Sequence, residues 1–182
     1  MTEEDALRFL QLHQPMSDDA ELLEDELVTL SSVIEYFTLN PSDEAVPLLL
    51  GVFGRGDGFG VYQHVEDALV RQRRGVVVAE LARMLGASEG NLFWILQIAA
   101  ELPDVSFCDG LEQLAAHEDP EVRAMVVVAL EAIGDEVSLS VLRARVDAEV
   151  DTEVRSLLAT AIARSASMAA GDADPSLMPT RR

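Results

Sequence analysis

With 182 residues, 49% of them apolar and only 5% aromatic, the chain is long enough to bury about 70% of its unfolded surface in a single core built on Leu, Val and Ala. No apolar run approaches the ~20 residues of a membrane-spanning helix. The acidic start MTEEDALRF does not read as a secretory leader, and Cys108 stands alone, so no internal disulfide is expected and a cytoplasmic, reducing setting fits.

The net charge is −20, with thirteen arginines, no lysine and 33 acids. A field of that sign repels phosphate backbones, which speaks against nucleic acid as a ligand, and draws cationic partners inward. The same charge also serves ordinary solubility. Acid is concentrated at the front, where residues 1–44 hold twelve carboxylates and one base, Arg8.

Thr2, with Asp5 three positions on, predicts a capped helix over about 3–13, ended by Gln14-Pro15. Ser17 is expected to cap a second helical stretch that reaches Leu39, with a break near Thr29–Ser32. Asn40-Pro41 closes it, and Ser42 is read as the cap of a helix over 43–53, bent near its start by Pro47. Gly54-Arg55-Gly56-Asp57-Gly58-Phe59-Gly60 follows as a glycine-rich loop. Its spacing is not G-x-G-x-x-G and no strand precedes it, so a turn between helices is the better reading than a phosphate cradle. Further helices are predicted over 60–72, 74–86, 89–102, 109–117, 120–133, 137–147 and 152–166. Gly86 and Gly134 sit at the expected stops, and Asp119-Pro120 marks a strong start. Residues 167–182 are small, polar and proline-bearing, which predicts a flexible C-terminal tail.

One segment repeats. Glu121-Val122-Arg123 recurs 32 residues later as Glu153-Val154-Arg155, and each triplet opens an apolar run. Asp119 precedes Arg123 by four positions, as Asp151 precedes Arg155, which places each pair on one helix face. A period of this length built from two helices predicts a stacked array in which each unit buries its apolar face against its neighbours. Set side by side, LEQLAAHEDPEVRAMVVVALEAIGD (111–135) and LRARVDAEVDTEVRSLLATAIARSA (142–166) resemble HEAT repeats of the short bacterial kind, and AVPLLLGVFG (45–54) is similar to a HEAT first helix. The resemblance implies an all-α, α-α superhelix of about five helix pairs forming a single domain over 1–166, with 1–42 as a divergent acidic N-terminal cap. It also implies that Arg123 and Arg155 are structural, tied to Asp119 and Asp151.

Aligning the second helices puts Val61, Asn91, Val122 and Val154 in one row. Val65, Ile95, Val126 and Leu158 form another, and Ala68, Ile98, Ala129 and Ala161 a third, all predicted to point into the stack. Gln63 and Phe93, Glu66, Leu96 and Val127, and Asp67, Gln97 and Val128 fall off that stripe. In HEAT arrays this side commonly lines the concave, partner-binding surface. With Tyr62 and Glu131, these residues make the candidate site: carboxylates beside a Phe/Leu/Val patch, suited to a partner with arginines around an apolar centre.

Catalysis has little support. His13, His64 and His117 are scattered and follow no metal-ligand spacing, so neither a metal nor a cofactor is expected; His64 aligns with Trp94, Met125 and Leu157 and reads as a packed or boundary residue. Cys108 has no adjacent base and reads as a packed residue. HEAT arrays serve as scaffolds, adaptors and immunity proteins and occasionally as enzymes. The reading favoured is a non-catalytic protein, monomeric when alone, that neutralises a basic toxin domain by covering its active surface. The alternatives are a generic adaptor and a phycobilin lyase-like protein.

Overall fold

The computed structural model describes the backbone of residues 1–171 and the side chains of 1–166, and among these every regular element is helical. Ten α-helices run in chain order: α1 Glu3–Leu12, α2 Glu24–Leu39, α3 Ala45–Leu50, α4 Gln63–Arg71, α5 Arg74–Ala87, α6 Leu92–Glu101, α7 Cys108–Leu114, α8 Pro120–Ile133, α9 Glu136–Val146 and α10 Thr152–Gly171. They form two layers. Odd-numbered helices pack along one layer (α1 on α3, α3 on α5, α5 on α7, α7 on α9), while α2 meets α4, α6 meets α8 and α8 meets α10 in the other. Consecutive helices thus make five pairs, a HEAT-like helical repeat fold.

Local chemistry explains the boundaries. The Thr2 hydroxyl accepts from the Asp5 amide at 3.2 Å while the Asp5 carboxylate accepts from the Thr2 amide at 3.2 Å, a reciprocal capping box. Asp119 accepts from the Glu121 amide at 2.9 Å with Pro120 next, and Gly134, at φ 66°, closes α8 in the left-handed conformation that glycine adopts without steric cost. Pro47 falls in the first turn of α3, where a missing N–H breaks no intrahelical bond.

Several boundaries differ from the sequence reading. Residues 13–23 form a connection and no helix starts at Ser17; α2 begins at Glu24 and continues through Thr29–Ser32 unbroken. The connection is held by Met16, which is buried and whose amide donates to the Val52 carbonyl at 2.9 Å. Gly86 lies within α5, and Ser88 takes the left-handed stop position instead, with the Ser88 and Glu89 amides turned back onto Leu85 and Met84. Helix α10 runs to Gly171, past the expected end at 166; the rest of the predicted tail lies outside the described residues.

Two of the three rows of the repeat become the core, while in the third Val122 and Val154 are buried but Val61 and Asn91 stay half-buried at the edge. Val65, Ile95, Val126 and Leu158 are buried, as are Ala68, Ile98, Ala129 and Ala161. Between the first and second pairs, buried Gln72 has both polar side-chain atoms paired. Its amide nitrogen donates to the Phe37 and Ala68 carbonyls, both at 2.9 Å, and its oxygen accepts from the Ser42 amide at 2.7 Å.

Candidate functional site

The even-numbered layer presents the face on which the sequence places its candidate residues, and the structure divides them. Gln63, Asp67, Phe93 and Val128 are exposed, and Glu66, Gln97 and Glu131 are half-buried. Tyr62, Leu96 and Val127 are buried and leave the candidate surface. The reason is packing: α8 lies against α6 on one side and α10 on the other, which closes the flanks at Leu96 and Val127, while Tyr62 packs against Phe53, Trp94 and the loop before α4.

What remains is mixed in chemistry. Glu66 on α4 and Gln97 on α6 are near enough for the Gln97 amide to act on the Glu66 carboxylate. Partial burial pushes the Glu66 carboxyl above the ordinary carboxylate range, reinforced by the charges of Glu101 and Asp67; the Gln97 amide opposes the shift. Three carboxylates therefore crowd one end of the face. At the other end stand Phe93, 44% exposed, and Val128, 41% exposed. Phe93 sits edge-on to Trp94 with ring centroids 5.5 Å apart. Glu131 is engaged by Arg164 at 3.0 Å.

The glycine-rich loop underlies the Phe93 end. It is fixed from both flanks: the Asp19 carboxylate accepts from the Gly58 amide at 3.1 Å, Trp94 Nε1 donates to the Gly56 carbonyl at 3.3 Å, and Asn91 Nδ2 donates to the Gly54 carbonyl at 2.7 Å. The Tyr62 hydroxyl accepts from the Gly54 amide at 3.1 Å, and Phe53 stacks on Trp94 at 5.4 Å. Gly56, at φ 91°, has no room for a Cβ, which would run into the Asp19 carboxylate. The loop is thus a structural knot, its Gly54, Asp57, Gly58 and Gly60 amides already occupied, and Tyr62 and Trp94 belong to its aromatic support.

A family profile for HEAT repeats matches residues 63–163, from the start of α4 into α10. The chain belongs to the HEAT-repeat family. No curated protein and no solved structure matches it. HEAT repeats are protein-interaction scaffolds, and among the described residues no helix is long and apolar enough to cross a membrane.

Within this HEAT array, the last two repeats are joined by a polar clasp that sequence reasoning located only in part. Asp119 and Asp151 cap their helices, Asp151 accepting from the Glu153 and Val154 amides at 2.9 and 3.1 Å. Their arginines reach elsewhere. Arg123 grips Glu149 with two bonds of 2.9 and 2.8 Å and donates to the His117 and Glu118 carbonyls at 2.8 and 2.9 Å. Arg155 donates to the Glu149 carbonyl at 2.9 Å. The expected Arg123–Asp119 and Arg155–Asp151 ties are therefore replaced by one shared centre, Glu149, which is fully buried and also accepts from the Val150 and Asp151 amides, both at 2.9 Å. Arg123, the Asp151 amide and the nearby charge of Arg145 hold the Glu149 carboxyl down at about 2 against its burial. The repeat carried a signal for it. Offset by 32 residues, Glu149 stands where His117 does, and each accepts from the amide two residues on, His117 Nδ1 taking the Asp119 amide at 3.1 Å.

The remaining sequence candidates fall into place singly. His64 is exposed, 3.5 Å from Asp67, and is neither a packed nor a boundary residue. Nδ1 of His13 lies 2.8 Å from the Phe9 carbonyl and the ring stacks on Phe9. Cys108 is buried at the first turn of α7, and burial pushes its thiol up from the ordinary value. Among the described residues no group of three or more His, Cys, Asp or Glu is placed to hold a metal ion.

Proposed function

We propose that the chain is a non-catalytic receptor for a basic protein, bound on the exposed face of the second-helix layer. The observation that carries this reading is the composition of that face: Glu66, Asp67 and Glu101 crowd one end without a cation among the groups that shift Glu66, and Phe93 and Val128 stand open at the other. A half-buried carboxylate pushed up by burial and by two neighbouring negative charges, as Glu66 is, is in a state that a cationic partner relieves. Phe93 on its rigid Trp94 support is an aromatic anchor of the kind that concentrates binding energy. The net charge of −20 adds long-range attraction for such a partner.

Within this class, the form proposed is an inhibitor of a basic toxin domain. A small self-contained array can fulfil that role simply by covering a cationic active surface, over an interface of roughly 1,200–2,000 Å² in total. A generic adaptor differs from it only in the partner's identity.

The test is affinity capture from the native host followed by mass spectrometry, with the purified partner then measured against variants. A basic partner is expected, bound more weakly as salt rises. The charge reversals Glu66→Lys and Asp67→Lys should slow association, and Phe93→Ala should speed dissociation. Recovery of an acidic partner, or of a basic one indifferent to all three substitutions, refutes the reading.

A further inference from the structure

Between α2 and α4 the surface opens into a groove of 280 Å³. Ile34, Glu35, Thr38 and Leu39 line it from α2, His64 and Asp67 from α4. Ile34 is buried, whereas Leu39 is 72% exposed. The Thr38 hydroxyl is spent on its own helix, donating to the Ile34 carbonyl at 2.8 Å. Glu35 and Asp67 supply the charge. His64 lies 3.5 Å from Asp67, and the arginine ion pairs of the described residues are all made elsewhere.

Size narrows the occupant. Pockets for cofactors and drug-sized ligands run from about 300 to 1,000 Å³ and enclose most of the ligand. An open groove of 280 Å³ holds a side chain or two. That side chain needs apolar length to cover Leu39 and reach the remaining edge of Ile34, and a positive head to meet two carboxylates. Arginine has both: a methylene stem that lies along apolar surface and a planar fork of donors matched to carboxylate geometry. Lysine has the stem but ends in a compact, strongly hydrated charge.

We propose that the α2–α4 groove receives an arginine side chain of the protein partner, its stem against Ile34 and Leu39 and its guanidinium at Glu35 and Asp67. The assignment rests on the reading of the chain as a receptor for a basic protein. It adds a contact beyond the Phe93 and Val128 end, with Asp67 bordering both places.

The test is an amide-resolved NMR titration of the full chain with N-acetyl-arginine amide, with N-acetyl-lysine amide and N-acetyl-norleucine amide run alongside. Saturable shifts are expected for arginine at residues 34–39 and 64–67, weaker ones for the other two. In the Glu35→Gln and Asp67→Asn variants arginine binding should fall by about tenfold, the loss of one charge-assisted hydrogen bond. Both residues are exposed, so an unchanged spectrum elsewhere certifies the fold. Glu3–Asp5 at the start of α1 serves as the reference for unspecific attraction. Equal shifts there, equal binding of lysine, or indifference to both substitutions overturns the proposal. If partner capture still depends on Glu66 and Phe93 in that event, the groove assignment fails while the wider reading stands.

Discussion

Removing the Glu149 carboxylate should unfasten the last repeat. In Glu149→Ala, Arg123 keeps its bonds to the His117 and Glu118 carbonyls but loses both bonds to the carboxylate, and the Val150 and Asp151 amides lose their acceptor. Glu149 is 0% exposed and Arg123 7%, so water does not readily replace the lost partner. Breaking a buried ion pair from one side costs about 3–5 kcal/mol. For a chain of this length each kcal/mol moves the midpoint by about 2–4 °C, so a fall of roughly 6–20 °C is expected. Differential scanning calorimetry supplies the midpoint, and hydrogen exchange should show α9 and α10 opening first, because an array loses its end unit before its middle.

Acid supplies an independent check. The folded Glu149 carboxyl is held down at about 2 from 4.5, so its stabilisation is present above pH 4.5 and is lost as pH falls from there towards 2. Glu149→Gln should erase that part of the acid sensitivity. A midpoint for Glu149→Ala within about 1 °C of wild type, well under the shift expected for even 1 kcal/mol, would refute the account of the clasp.

Glu66 works in the opposite sense. Its carboxyl is raised in the fold, so its ionisation weakens the fold once pH passes the unfolded value. Glu66→Gln should raise the midpoint at neutral pH by about 1–2 °C and make no difference at pH 3, in parallel thermal scans. Asp19→Ala removes the acceptor for the Gly58 amide and should cost ~1 kcal/mol, read by urea unfolding, with faster exchange across residues 54–60. Gly134→Ala places a Cβ at φ 66° with its nearest neighbour, the Glu131 carbonyl, at 3.4 Å, so the cost is backbone strain of about 1 kcal/mol with no clash, measured the same way.

The repeat was legible because its period sits in contiguous residues. The Val65 and Ala68 rows and the ends of α8 follow from spacing and from Asp119, Pro120 and Gly134 alone. Burial of Leu96 and Val127 was not legible, since it depends on how closely the neighbouring helices approach a flank that looks open on one helix. Residues 18–23 read as helix because their own side chains allow one. Met16 and Asp19 find their partners at Val52 and at Gly58, and no local pattern records contacts so distant in the chain. Glu149 was hidden among 33 acids until its carboxylate was seen between two loops.

Loop 54–60 belongs to the second pair, yet it is gripped by Asp19 from the connection inside the first and by Asn91 and Trp94 at the start of α6 in the third. A solenoid couples each unit to its two nearest neighbours, each interface ordinarily closed by its own helix faces. Here a single splice spans three consecutive pairs. Loosening that loop would therefore slacken both interfaces of the second pair at once, whereas the Glu149 clasp near the other end fastens a single interface.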